Sequence, residues 1–332
     1  MNNNKPILGT TLYSFTNEWK QNLYTLDQMV ESVANLRLGP AIEVVGFQSF
    51  RTYPDVTDEF ASHFRDLLEN YNLIPSCLGA NCDVGRRRDR LMTPEEILTY
   101  LERQLASAKK LGFPVMRIQA FVGPKIFERI APLAEKAGVH VACELHSPLS
   151  VDNPEVVALR ECFDRVGSAY IGFIPDFSST MTNPPNRFWD RLRTKGAPEG
   201  LIEVVKSIWL TDKPNPEKYA ALAEVKRRFG ANEGVAAQLN MVMTMFGHMP
   251  VEHLAELLPY TRHIHGKFYE VDASGNETSI PYPKLMALLN KEGYHGTISA
   301  EWEGHAFSEE SIGFQQVQAW NAMCKRLLAS ET

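Results

Sequence analysis

Eight short runs rich in β-branched residues, each followed by a stretch with helical spacing, constrain more than anything else what this chain can fold into. Ile7 to Tyr13 precedes a helical pattern at Leu23 to Leu36, Ala41 to Val45 precedes Thr57 to Tyr71, and Leu73 to Leu78 precedes Pro94 to Leu111. Val115 to Gln119, Val139 to Pro148 and Tyr170 to Pro175 continue the series, with helical stretches at Lys125 to Ala137 and Asn153 to Val166. His263 to Phe268 and Thr297 to Glu301 complete it, with Tyr282 to Glu292 between them and a closing helix from about Ser308 to Leu328. The helix from Pro94 carries a full set of end signals. Thr93 is placed to cap it with Glu96 three positions on, Pro94 wastes no donor in the first turn, and Gly112 ends it.

Eight alternations in 332 residues predict a (β/α)₈ barrel, with residues 1–332 forming one domain. The competing open, doubly wound sheet lacks its usual sign, since no GxGxxG follows the first strand. The period breaks once. About 85 residues separate Asp176 from His263, which predicts an insertion between strands six and seven, at about 181–250. Leu201 to Trp209, Pro216 to Phe229 and Val251 to Leu258 read as helices there, and the Asn- and Pro-rich segment from Met181 to Asn186 as an irregular loop. The run Met241 to Phe246 reads as helix packing rather than a ligand slot.

Charge and cysteine usage exclude several classes. A formal charge of −6 disfavours a surface that tracks phosphates, and the one basic run, Arg86 to Arg90, reads as a solvated loop. The first residues, Met1 to Pro6, are polar and lack the apolar centre of a signal peptide, and no run approaches the roughly 20 apolar residues of a membrane span. Five cysteines without CxxC spacing suit reduced thiols in a cytoplasm.

The chemistry gathers where strands end. The fifth run closes on Glu144 and His146, the sixth on Asp176, the seventh on His265 and Lys267, and the eighth on Glu301. In a barrel these ends share one rim, so three carboxylates and an imidazole would converge there. A divalent cation would offset their repulsion. Three oxygen donors and one nitrogen suit Mn²⁺ or Mg²⁺, with Co²⁺ or Zn²⁺ as alternatives.

The pattern Glu144, Pro175-Asp176-Phe-Ser, His263-Ile-His265-Gly-Lys267 and Ala300-Glu301-Trp-Glu-Gly resembles the xylose-isomerase-like barrels, the sugar isomerase and epimerase superfamily. That resemblance implies that Glu144, Asp176, His265 and Glu301 are the ligands of one Mn²⁺ or similar ion. Of the two histidines on the seventh strand, His265 lies nearer its end. The opening Gly9-Thr-Thr-Leu-Tyr-Ser-Phe-Thr-Asn-Glu-Trp19, the Glu144-Leu-His146 pair and the insertion look closest to the catalytic α subunits of bacterial C-glycoside deglycosidases. This narrower likeness implies a hetero-oligomer with a small β subunit that is not in this chain.

The implied reaction is a carbon–carbon lyase step on a 3-keto C-glycoside, where loss of the acidic C2 proton leads to elimination of the aglycone. His146 is the expected base, because residues i and i+2 share a strand face and Glu144 is expected on the metal. Arg117, Gln119, Lys267, Glu303 and His305 are weaker candidates for binding sugar hydroxyls or the aglycone phenol. The main alternative is a sugar isomerase or ketose 3-epimerase, which would use Glu144 and Glu301 as an acid/base pair. A DNA-repair barrel with a three-metal cluster needs more histidines than these strand ends supply, and Ser179 stands where one is wanted. A sugar-binding barrel without turnover would keep this donor set for no purpose.

Overall fold

The helix Pro94–Leu111 forms for the reasons its sequence gives. Thr93 accepts from the Glu96 amide at 3.3 Å while Glu96 accepts from the Thr93 amide at 2.8 Å, and Gly112 closes the helix at a φ of 86°. That positive φ is one only glycine adopts freely. The strands owe their form to burial instead, because a parallel strand lined by helices hides both faces and so is largely apolar except where the barrel interior carries its polar side chains.

The computed structural model describes residues 5–119, 122–211, 213 and 215–330. Most of the Met1 to Pro6 segment therefore lies outside the described residues. Eight strands, β1 (Ile7–Thr11), β2 (Ala41–Val45), β3 (Ile74–Ala80), β4 (Val115–Ile118), β5 (His140–Leu145), β6 (Ile171–Pro175), β7 (His263–Phe268) and β8 (Thr297–Trp302), form one parallel sheet. Its order is β6-β5-β4-β3-β2-β1-β8-β7. The ends of the sheet meet through two isolated parallel bridges, Phe173 with Thr261 and Asp176 with His265. The expected barrel is thus present, nearly closed, with helices between its strands. At the seam Gly172 is required, because a Cβ there would collide with the Tyr260 carbonyl.

Alternation along the strands stacks the barrel interior in layers. Cys77, Val115, Ala142 and Ile174 form a small apolar cluster separate from the main core. Two residues beyond the last three stand Arg117, Glu144 and Asp176, so a polar layer sits directly on an apolar floor.

The insertion between β6 and β7 carries four helices, Asn186–Thr194, Glu199–Trp209, Asn215–Arg228 and Glu233–Met245. The sequence reading missed the first and most of the last. The first is rich in arginine and has no side-chain cap, and the last, although Asn232 caps it, carries apolar residues on nearly every side. It also predicted a helix at Val251 to Leu258, where two 3-10 turns, Val251–Glu256 and Leu258–Tyr260, stand instead, because Pro259 removes a donor and crowds the turn before it. The closing helix begins at Gly313 rather than Ser308. The Met241 to Phe246 run does pack as helix, with Met243 and Phe246 buried, yet both also line a cavity of about 490 Å³ with Pro148, Trp209 and His248.

The insertion is stitched to the turn after Asp176. Gly247 donates to the Ser178 carbonyl at 2.9 Å, Met249 to the Ser179 carbonyl at 2.8 Å, and Met181 to the Gly247 carbonyl at 3.0 Å. No helix among the described residues is long and apolar enough to cross a membrane, and all five cysteines are buried as free thiols. The Arg86 to Arg90 run is occupied locally, since Arg87 pairs with Asp89 at 3.0 Å and Arg90 with Glu96 at 2.6 Å.

One buried histidine, far from the polar layer, gives the fold an acid limit. Burial lowers the His140 imidazole from its ordinary 6.5 to about 4, only partly offset by the Ala169 and Tyr260 carbonyls. The unfolded chain takes up this proton first, so the contribution is complete above about pH 6.5 and is lost as pH falls towards about 4. The expected loss is on the order of 3 kcal/mol. Urea unfolding of His140→Leu across this window should show a shallower acid dependence than the parent; parallel curves would refute the assignment.

Candidate metal centre

The four predicted ligands each come from a different strand or its end. Glu144 ends β5, Asp176 follows β6, His265 lies in β7 and Glu301 in β8, and one donor atom from each falls within 4.8 Å of the others. All four are buried, His265 and Asp176 completely. The structure therefore brings together the four residues predicted as ligands.

The hydrogen bonds of the cluster are directional. His265 Nδ1 lies 2.6 Å from Glu144 Oε1 and 3.2 Å from Glu301 Oε2. Arg117 Nη1 donates to Glu144 Oε2 at 2.9 Å. Gly79 on β3 makes room for that guanidinium, because a Cβ at this position would stand 2.8 Å from Arg117 Nη2. Lys267 Nζ reaches Glu303 Oε2 at 2.9 Å, Glu301 Oε2 at 3.1 Å and Asp176 Oδ2 at 3.3 Å. Asp176 also caps the short turn that follows it, with Oδ1 accepting from the Ser178 amide at 2.7 Å.

The electrostatics follow from burial among charges. Burial alone would raise the Glu144 carboxyl, but Arg117 and His265 overrule it and hold it well below the usual carboxylate range. Glu301 is likewise driven down against burial by His265 and Lys267. Asp176 goes the other way, since burial outweighs Lys267 and His146. Burial opposes a charge on His265, yet Glu301, Glu43 and Glu144 raise it well above its ordinary value.

The residues fit a divalent cation. Asp176 Oδ2 and Glu301 Oε2 are buried oxygens with no hydrogen-bond partner, and both belong to the four-residue cluster. Lys267 approaches them at ion-pair distance without hydrogen-bond alignment. Among the described residues, five carboxylates, those of Glu43, Glu144, Asp176, Glu301 and Glu303, face two fixed cations, Arg117 and Lys267. Three carboxylate oxygens with one imidazole nitrogen form a hard, mixed donor set suited to Mn²⁺ or Mg²⁺ and compatible with Co²⁺ or Zn²⁺.

The remaining predicted residues divide. His146 lies one residue past β5, with Nδ1 held by its neighbour's carbonyl, Ser147 O, at 2.6 Å. Burial lowers this imidazole, but Asp176, Glu144 and Glu303 outweigh burial and Lys267 and leave it above its ordinary value. It stands two residues beyond Glu144 in the chain. Arg117, Lys267 and Glu303 are committed to carboxylates or to each other, as described, rather than free for a ligand. Gln119 is exposed just past β4, with its backbone amide donating to Ala80 O at 3.2 Å. His305 is buried beside Tyr13, ring centroids 4.9 Å apart, and Nε2 has no partner.

Three participants escaped the sequence reading. Glu43 sits mid-strand in β2 and touches both histidines of β7. Its signal was a lone carboxylate inside the apolar run Ala41 to Val45. Tyr13 donates to Glu303 Oε1 at 3.3 Å, and Tyr269 is fully buried with its hydroxyl unpartnered.

Lys267 supplies a stability test. Replacing it with Met removes the ammonium shared by Asp176, Glu301 and Glu303 and should cost the metal-free protein about 3–5 kcal/mol, the scale for breaking a buried ion pair. Added Mn²⁺ should restore part of it. An unchanged urea midpoint would show that the carboxylates do not depend on this cation.

Comparison with known proteins places this geometry. The family model described as the xylose isomerase-like TIM barrel matches residues 40–324. A C-glycoside deglycosidase alpha subunit of Arthrobacter globiformis is 37% identical over 327 residues, covering 97% of this chain and 92% of the relative. A 3'-dehydrocarminate deglycosidase alpha subunit of a Microbacterium species is 34% identical over 98% of this chain and 96% of its own length. Among solved structures, D-psicose 3-epimerase of Clostridium cellulolyticum superposes with a TM-score of 0.61 at 11% identity, covering 97% of this chain and 99% of that one. At such identity the likeness concerns the fold alone.

Proposed function

The chain belongs to the xylose isomerase-like TIM barrel family, and from that membership we propose that it is a metal-dependent carbon–carbon lyase, the catalytic α subunit of a C-glycoside deglycosidase. Its substrate is a 3-keto C-glycoside. The observation that carries this reading is kinship of 34–37% identity with deglycosidase alpha subunits over nearly the whole chain. The rim cluster supports it by supplying a metal-type donor set beside a histidine.

Glu144, Asp176, His265 and Glu301 would hold the cation, Mn²⁺ by preference, which when bound supplies Lewis-acid polarisation of the sugar C3 carbonyl and so acidifies C2–H. His146 takes the C2 proton. Its Nδ1 faces the Ser147 carbonyl oxygen and must therefore carry the hydrogen, so Nε2 is the basic nitrogen. The C2–H electrons become a C1–C2 double bond as the bond from C1 to the aglycone breaks. The aglycone carbon leaves with the electrons of the broken C1 bond and takes up one proton, matching the one lost from C2, so the protons balance and no further reactant is consumed. Arg117 orients Glu144, and Lys267 with Tyr13 fixes Glu303. The barrel's apolar floor, Cys77, Val115, Ala142 and Ile174, excludes water from below.

The names of the two relatives call them alpha subunits, and we assign this chain a small β subunit as partner on that ground. The test is incubation of the Mn²⁺-loaded chain with a 3-keto C-glucoside, with and without a candidate β subunit, following free aglycone. Release dependent on metal supports the proposal. Epimerisation of free fructose or tagatose by the chain alone, without aglycone release, would replace it with a ketose 3-epimerase.

A further inference from the structure

Glu43 is 1% exposed and stands in the middle of β2, a strand that β1 and β8 separate from β7 in the sheet order. It reaches across the barrel to both histidines of β7. Oε1 lies 3.1 Å from His265 Nε2, and Oε2 lies 2.8 Å from His263 Nε2. An ionised carboxylate only accepts hydrogen bonds, so both imidazoles must present N–H at Nε2.

For His265 the consequence is decisive. Once Nε2 carries the hydrogen, a neutral ring has its lone pair at Nδ1, the nitrogen beside Glu144 at 2.6 Å and Glu301 at 3.2 Å. We propose that Glu43 is a positioning residue that fixes the tautomer and ring orientation of His265, so that Nδ1 is offered to the cation. His263 is the brace behind it. Its ring stands at 87° to that of His265 with centroids 5.8 Å apart, and it occupies the second carboxylate oxygen, which prevents Glu43 from rotating. Its own Nδ1 is buried and unpartnered among the described residues, where Glu43 is the hydrogen-bond partner that holds this ring.

The geometry explains why the carboxylate comes from across the barrel. β7 turns His263, His265 and Lys267 inward at alternate positions. Glu144 on β5 and Glu301 on neighbouring β8 approach His265 from the rim side and meet Nδ1. Only a strand on the far side approaches Nε2. A carboxylate behind a ligating imidazole orients the ring and raises its basicity, and losing such a partner typically costs 10–100-fold in metal affinity.

This inference rests on the metal reading above, and the experiment separates the two. Mn²⁺ binding to the full chain is measured by calorimetry for the parent, Glu43→Gln and His263→Phe, alongside thermal unfolding without metal. Glutamine keeps the size but presents one acceptor oxygen and an NH₂ group, so one histidine must change tautomer. Glu43→Gln is expected to raise the Mn²⁺ Kd about 10–100-fold, and His263→Phe, which leaves Glu43 charged but unbraced, several-fold. Histidine ¹⁵N spectra of the protein loaded with diamagnetic Zn²⁺ should show His265 as the Nε2–H tautomer in the parent. A merely structural role would lower the unfolding temperature and leave Kd and the tautomer signal unchanged, and that outcome overturns the assignment. Should Glu43→Gln fail to fold, unaltered affinity in His263→Phe does the same. A parent that binds none of Mn²⁺, Mg²⁺, Co²⁺ or Zn²⁺ overturns the metal reading and this inference together, whereas parental affinity retained in Glu43→Gln overturns this inference alone.

Discussion

Replacing Glu144 with glutamine is expected to weaken Mn²⁺ binding by at least about 100-fold, beyond the cost of losing an outer-shell partner, and to abolish aglycone release. The substitution preserves size and removes charge. The remaining amide oxygen can accept from one of the two partners only, so either His265 Nδ1, now 2.6 Å away, or Arg117 Nη1, now 2.9 Å away, loses its acceptor. Arg117 is 4% exposed and cannot turn to water. Breaking such a pair leaves a buried charge and costs about 3–5 kcal/mol. The lower end applies here, because Glu43 and Glu301 also act on the guanidinium. Elemental analysis of the purified variant and urea unfolding check the two effects. A variant with full metal content would remove Glu144 from the donor set.

His146→Ala should separate chemistry from binding. Turnover of a 3-keto C-glucoside is expected to fall about 10²–10⁴-fold, the usual share of a positioned base, while metal content and fold stay as in the parent. The ring sits past the end of β5, and its one hydrogen bond is to the backbone of its neighbour, so little else depends on it. Parental turnover would move the base elsewhere, and loss of metal would make His146 part of the cation site.

Much of this was legible without coordinates, and the reasons are local. Thr93, Glu96 and Gly112 write the ends of their helix into neighbouring positions, so no distant partner is needed to read them. Glu144, Asp176 and Glu301 stand out because each interrupts an apolar run at its end, where a barrel places its chemistry. Glu43 has the same chemistry in the wrong place for that rule. A carboxylate in mid-strand acquires meaning only from His263 and His265, more than 200 positions later in the chain, and the register that joins them is a property of the closed barrel. The helix Asn186–Thr194 was hidden for another reason. It is rich in arginine, and its apolar face is defined by Phe188 meeting Phe246 and Phe307, contacts the helix cannot announce by itself.

The narrow join between β6 and β7 gives the proposed cation a second consequence. One of the two bridges across it pairs Asp176 with His265, and both of those side chains belong to the donor set. Glu144 and Glu301 come from the strands on either side. An ion held by all four would act as a rivet through four consecutive staves at the place where the cylinder has least backbone pairing. The atom that acidifies the substrate would thereby also keep the wall shut, so that catalytic competence and mechanical integrity of the barrel are set by the same event.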